Sequence, residues 1–110
     1  MDNKEKNVAK YKLGLCLSNI IEENKKSGKV DSINSLRKLA ASSGLEYAIV
    51  QLISSGKKDP QYTTLLALSE GLGIPLHKFL QGVDKISDET VITHIDKIEK
   101  AKKQLNARRK

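Results

Sequence analysis

The sequence predicts an all-α fold, and three observations support this prediction. Only 4% of the 110 residues are aromatic and there is no Trp, so the core has to be built from aliphatic side chains. Apolar residues recur at the three- and four-residue spacing of amphipathic helices, and glycines or prolines separate these stretches. No stretch has the alternating apolar and polar pattern of a half-buried strand. The length fits one compact domain with flanking segments.

Six helices are expected along the chain. The first is apolar on one face, as at Leu13 and Leu17, and the second has Ser35 available as an N-terminal cap. Gln81 and Gly82 are expected to end the fifth helix, because they follow its last apolar residue. The predicted helices cover residues 8–24, 36–43, 45–55, 65–72, 75–80 and 87–108.

Positive charge is concentrated at the two ends of the chain. The whole sequence has 20 Lys and Arg against 13 Asp and Glu, a net charge of +7. Residues 1–30 carry seven Lys against four acids, residues 31–84 are neutral, and residues 85–110 carry eight bases against four acids. Basic ends are typical of proteins that bind a polyanion, and also of ordinary solvated termini. The predicted organisation is a basic N-terminal segment with the first helix (1–30), a central core (31–82) and a C-terminal basic amphipathic helix (83–110).

The residues present give no support to several classes of function. Cys16 is the one cysteine, so no internal disulfide can form and a cytoplasmic location is expected. His77 and His94 stand apart from other ligand residues, so no metal or other cofactor is expected. No Ser/His/Asp or Cys/His arrangement points to an enzyme. The apolar runs are too short for a membrane span, and the charged start lacks the apolar stretch of a signal peptide.

The C-terminal helix has an apolar stripe of its own. Val91, Ile95, Ile98 and Leu105 repeat at spacings of three, four and seven residues, with Lys102 interrupting the seam. Three arrangements remain open: the helix folds back on its own domain, it joins two copies in a homodimer, or it is a disordered basic tail.

Residues 36–55 hold the most informative pattern in the chain. Ala40 supplies the small side chain needed where two helices cross closely, and Gly44 tolerates the positive φ of a tight turn. Leu39, Val50 and Ile53 fall at positions that point into the core between the two helices. These five residues in one register predict a helix-turn-helix.

This pattern resembles the phage Cro and repressor type (Xre-like) helix-turn-helix family. The similarity runs without gaps from Ser35 to Leu80 and includes the stretches Ser55-Gly-Lys-Lys-Asp-Pro60 and Thr64-Leu-Leu-Ala-Leu-Ser-Glu-Gly-Leu-Gly-Ile-Pro75. The resemblance implies a five-helix lambda-repressor-like bundle with an extra C-terminal helix. It also implies a sequence-specific transcriptional regulator whose third helix enters the major groove of double-stranded DNA, usually as a symmetric homodimer.

The resemblance also assigns positions to the DNA contact. Gln51 is the position best suited to reading a base, because its amide can bond two atoms of an adenine edge. The base-facing positions are Glu46, Tyr47, Ala48, Gln51, Leu52 and Ser55. The phosphate-contacting positions are Ser35 and Leu36 before the motif's first helix and Lys57 and Lys58 after its second.

Three of the predicted DNA-contacting positions hold residues that are unusual for the family. Leu36 stands where the family often has Gln, whose side chain contacts a phosphate, and Glu46 stands where Ser or Thr often caps the third helix. Leu52 puts a large apolar side chain on the DNA-facing side, which suits a thymine methyl or a protein partner equally well. The alternative function is therefore a protein-interaction module, such as the antitoxin of a toxin–antitoxin pair.

Overall fold

A computed structural model describes residues 1–108 and has six α-helices and no strand within them. The all-α prediction is therefore confirmed. Arg109 and Lys110, the last basic residues of the predicted C-terminal segment, lie outside the described residues. None of the six helices is both long enough and apolar enough to cross a bilayer. The helices are α1 (Asn3–Ser27), α2 (Leu36–Ser43), α3 (Tyr47–Ser54), α4 (Tyr62–Leu72), α5 (Leu76–Lys85) and α6 (Asp88–Arg108).

Helix α1 begins five residues earlier than the apolar pattern predicts. Asp2 adopts extended backbone angles, and its carboxylate accepts a hydrogen bond from the Glu5 N–H at 2.8 Å. This cap satisfies one of the free amides at the helix start, so the polar first turns remain helical although their side chains are mostly exposed. At the other end, Gly28 takes positive φ and ends the helix.

Helix α5 continues through Gly82, and the prediction that it would end there is wrong. A Cβ placed on Gly82 would lie 3.1 Å from the Cys16 Sγ atom, so the missing side chain allows α5 to approach α1 closely. The Cys16 thiol also lies 3.9 Å from the Phe79 carbonyl oxygen, at the same crossing. Gly82 is therefore a packing residue inside a helix, and the chain turns later, at Ile86.

The core is aliphatic apart from one ring, as the composition predicts. Helix α1 packs against α3, α5 and α6, while α4 packs against α2 and α5. Cys16 is part of this core and is 4% exposed. Eight side chains are almost fully removed from solvent, namely Leu17, Leu39, Val50, Ile53, Leu68, Ser69, Phe79 and Val91.

Helix α6 folds back along α1 over its first half. Val91 is completely buried, and the Lys12 ammonium lies 2.6 Å from the Asp88 carboxylate. The ring of Tyr11 meets the ring of His94 edge to face, with centroids 6.3 Å apart. The first of the three predicted arrangements therefore holds for this half of the helix. Every residue of 99–108 is exposed, including Leu105, so the second half lacks a partner within the described chain.

Candidate functional site

Helices α2 and α3 are joined by a tight three-residue connection, residues 44–46. The Ser35 hydroxyl caps α2 by accepting the Lys38 N–H at 3.1 Å. Gly44 ends α2 with φ of 74°, and its N–H donates to the Ala40 carbonyl at 3.0 Å. Left-handed backbone of this kind favours glycine, so the turn depends on the residue that the sequence places there.

The inward positions of the two helices are buried as the spacing predicts. Leu39, Val50 and Ile53 have no solvent exposure, and Ala40 is 8% exposed. Burying the three larger side chains fully stabilises the pair by roughly 1.5–3 kcal/mol each. The orientation of α3 relative to α2 is therefore fixed by side chains that point away from solvent.

Helix α1 holds the C-terminal end of α3 through a close backbone contact. A Cβ on Gly14 would lie 2.6 Å from the Ser54 carbonyl oxygen and 2.8 Å from that of Ile53. Immediately after α3, Gly56 lies under the Tyr11 ring, where a Cβ would be 2.6 Å from the ring. Gly14 therefore allows the backbones of α1 and α3 to touch, and Gly56 allows the Tyr11 ring to cover the backbone just after α3.

Helix α4 holds α2 from the other side. The Ser42 hydroxyl donates to the Gly71 carbonyl at 2.6 Å, and a Cβ on Gly71 would lie 2.8 Å from the Ser43 Cβ. Because α1 holds α3 and α4 holds α2, the two helices are supported on both sides. The surface of α2 and α3 that is not packed against α1 or α4 faces solvent.

The outward surface of α3 is one continuous exposed face. Ala48, Gln51, Leu52 and Ser55 are all exposed and occur at spacings of three and four residues, which places them on one side of the helix. We call these four residues the exposed face of α3. Leu52, at the centre of this face, is 41% exposed. Four of the six predicted base-facing residues therefore lie together, and Glu46 and Tyr47 do not belong to this face.

The first turn of α3 is arranged differently from the rest of the face. Glu46 is exposed and makes no side-chain capping hydrogen bond, in keeping with its poor suitability as a cap. Tyr47 is half-buried, and the Arg37 guanidinium lies over its ring at 4.3 Å from the centroid. Cation–π contacts of this kind contribute about 0.5–1 kcal/mol at exposed sites. Arg37 therefore ties the start of α2 to the start of α3.

Arg37 is a site residue that the sequence pattern did not indicate. Its side chain is exposed, and it lines a groove of about 370 Å³ together with Lys25 of α1, Leu36 and Tyr47. Glu22 also lines this groove and lies 3.9 Å from the Lys25 ammonium, so Arg37 is the cation that stands at the edge of α3. The contact links residues ten positions apart across a turn, so no local spacing rule identifies it.

The four predicted phosphate-contacting residues fall into two groups at opposite ends of α3. Ser35 and Leu36 are half-buried near Tyr47, and the Ser35 hydroxyl oxygen already accepts the capping hydrogen bond. Lys57 is exposed and Lys58 half-buried in the turn after α3. An eight-residue helix is about 12 Å long, so the two groups bracket the exposed face.

The side chains of residues 1–108 include no cluster of three or more His, Cys, Asp or Glu that could hold a metal ion. Cys16 is buried, and burial raises the pKa of its thiol, with a smaller contribution from the negative charge of Glu23. A thiol of raised pKa is a poor nucleophile, because the thiolate is the reactive form. The surface around α3 consists instead of hydrogen-bonding, cationic and apolar side chains, such as Gln51, Arg37 and Leu52.

Comparison with known proteins adds no relative: no protein-family model, curated protein or solved structure matches the chain significantly.

Proposed function

We propose that the protein is a sequence-specific DNA-binding transcriptional regulator of the Xre/Cro type, with a lambda-repressor-like arrangement of α1–α5. In this proposal α3 enters the major groove and reads base edges through its exposed face. The observation that carries the proposal is this face: a short helix, buried on one side and held by α1 and α2, that exposes four contiguous small, polar or apolar side chains.

The size and shape of this element suit the major groove. That groove is about 12 Å wide and about 8.5 Å deep, which admits one α-helix. Gln51 has the amide that can bond an adenine at two atoms, and the methyl groups of Ala48 and Leu52 can contact a thymine methyl. Cations lie at both ends of α3, with Arg37 before it and Lys57 after it. Phosphate contacts at both ends would hold the helix in register on the duplex.

The test is to select duplexes from a randomised pool and then compare variants on the selected sequence. Gln51→Ala should lower the preference for the selected duplex over random DNA by about 1–3 kcal/mol, or roughly 5- to 150-fold. Gln81→Ala is the matched control, because Gln81 is an exposed glutamine on α5. The two variants should show the same weak binding to random DNA. Failure of the wild-type chain to enrich any sequence would refute the proposal.

A second candidate is a protein-interaction module such as an antitoxin, and the exposure of Leu52 is the observation that favours it. In that case the exposed face of α3 would bind an apolar pocket on a partner protein. A small toxin-like reading frame beside the gene, whose product co-purifies with the wild-type chain but not with Leu52→Asp, would support this function. If Leu52→Asp loses the partner but keeps the wild-type preference for the selected duplex, the exposed face of α3 binds the partner protein.

A further inference from the structure

We infer that α6 carries a second DNA-contacting surface, a basic stripe formed by Lys97, Lys100 and Arg108 that binds phosphates beyond the C-terminal end of α3. The inference rests on the proposed DNA-binding function and adds a binding surface to it. It depends on the position of α6 beside the end of α3, on the absence of acids from residues 100–108 of α6, and on the exposure of these residues.

Tyr11 connects the end of α3 with α6. Its ring covers Gly56, the residue two positions after α3, and its other contact is the edge-to-face pairing with His94 of α6. The side of α6 that bears His94 is therefore turned towards the end of α3. Lys57, the exposed cation next to Gly56, lies at the start of the same surface.

The acidic residues of α6 all lie at or before Glu99. Glu89 lines the groove against α1 that Lys97 and His94 border on the side of Tyr11, and Asp96 and Glu99 border the groove beside the start of α1. Asp96 precedes Lys100 by one helical turn, so acids flank the beginning of the stripe. With 3.6 residues per turn, Lys100 and Arg108 lie within about 60° of Lys97 around the helix, and no acid of the described chain follows Glu99.

The stripe continues into residues 100–108, the exposed end of α6. Glu99 shares its groove with Lys4, close to the start of α1, so residues 100–108 extend past α1. All nine of these residues are exposed, and they include four cations and no acid. Pairing this segment with a second copy would bring like charges together, whereas a phosphate backbone is complementary to it.

The stripe is long enough to matter for a duplex. From His94 to Arg108 the helix rises about 21 Å, which corresponds to about six base pairs along B-DNA. Helices α3 and α6 both run antiparallel to α1. The start of α3 shares a groove with Lys25 while its end meets Gly14, and the start of α6 contacts Lys12 while Glu99 shares a groove with Lys4. The stripe therefore extends in the direction in which α3 points, over phosphates that α3 itself does not reach.

Two double variants of equal charge change provide the test. Lys97→Gln/Lys100→Gln removes two charges from the stripe. Lys78→Gln/Lys85→Gln, the control, removes two charges from α5. All four lysines are exposed, so neither change removes a buried contact. Affinity for one selected duplex, with at least six base pairs on each side of the preferred sequence, is measured by fluorescence anisotropy from about 50 to about 200 mM salt.

Each phosphate contact contributes about 0.9 to the slope of log affinity against log salt, or roughly 3.5-fold over this fourfold salt range. Removing two contacts should therefore weaken the salt dependence: between the lowest and highest salt, the affinity of the wild-type chain should fall by a factor about 12 times larger than that of the stripe variant. The control variant should stay within about 3.5-fold of the wild-type change. Preference for the selected duplex over random DNA should be the same in all three proteins, because phosphate contacts carry no sequence information.

Different failures have different meanings. Equal salt dependence in the stripe and control variants, with wild-type sequence preference intact, would overturn the stripe and leave the proposed function standing. A stripe effect on a protein that prefers no sequence would keep the stripe and remove the sequence-reading role of α3. Sedimentation gives a further check: a stripe variant with half the mass of the wild-type chain would show that these lysines hold two copies together, which overturns the inference.

Discussion

The close contact between α1 and α3 predicts that Gly14→Ala destabilises the fold. The new Cβ would lie 2.6 Å from the Ser54 carbonyl oxygen, and ordinary contact begins at about 3.4 Å, so the two helices would have to separate by about 0.8 Å. The neighbouring atoms belong to the backbone of α3 and cannot turn aside. Overpacking of this kind costs about 1–3 kcal/mol, and the better helix propensity of Ala returns about 0.8–1.0 kcal/mol. We expect a net loss of about 1 kcal/mol.

Gly82→Ala is the matched control for this prediction. It makes the same substitution inside a helix, but the nearest atom is the Cys16 Sγ at 3.1 Å, one side-chain atom that has to move only a few tenths of an ångström. Because Ala has a better helix propensity than Gly, the free energy of unfolding of this variant should equal that of the wild-type chain or exceed it by up to about 1 kcal/mol. Urea unfolding followed by circular dichroism measures both free energies. A Gly14→Ala variant as stable as Gly82→Ala would refute the reasoning that α1 fixes the end of α3 by backbone contact.

Three further predictions concern single side chains. Ser35→Ala should lower the free energy of unfolding by about 1 kcal/mol, because the α2 cap is lost. Ser35→Asp can still cap the helix and should not lower it. An equal loss in both variants would contradict the capping role. Arg37→Gln should lower it by about 0.5–1 kcal/mol through loss of the contact with Tyr47, while Lys38→Gln, the adjacent exposed cation, serves as the control that should change little. The Cys16 thiol should react with iodoacetamide much more slowly in the folded protein than in urea, because burial raises its pKa and blocks access; equal rates would show that it is accessible. Since the folded state keeps this proton while the unfolded thiol loses it, the free energy of unfolding should also fall as pH rises above about 8.5.

The parts of the structure that depend on local pattern could be predicted from the sequence. Helix α2 has the predicted bounds because its cap and its stop, Ser35 and Gly44, are both adjacent to it. The inward positions of α2 and α3 follow from helical spacing alone, as Leu39 and Val50 illustrate. The exposed face of α3 is the complement of those buried positions, so its members follow from the same register.

The parts that depend on distant contacts could not be predicted. Gly82 has the local pattern of a helix stop, but the chain stays helical to Lys85 and the glycine packs against Cys16 of α1, a contact that no local pattern shows. Arg37 contacts Tyr47 across the turn, where no spacing rule applies. Helical spacing shows which residues of α6 lie on the same side of the helix. Which side is turned towards the end of α3 follows only from the contact between Tyr11 and His94.

The homodimer stays a prediction, and the structure narrows the surfaces that could form it. The first half of α6 is occupied by its contacts with α1, so Val91 is not available to a second copy. The exposed apolar residues Ile92 and Leu105 are on the same helix but are 13 positions apart. Sedimentation of the full chain and of Leu105→Gln would distinguish a dimer that uses the end of α6 from one that uses another face.

The most direct test of the central claim, that α3 reads DNA bases, is to map the contact by NMR. The ¹⁵N-labelled chain is titrated with the duplex that it selects most strongly, and the amide shift changes are followed residue by residue. If α3 reads bases, the largest changes should occur at Ala48, Gln51, Leu52 and Ser55, with smaller changes along the stripe of α6 and little change in α5. Changes confined to α6 and the N-terminal residues, with the amides of α3 unmoved, would contradict this claim.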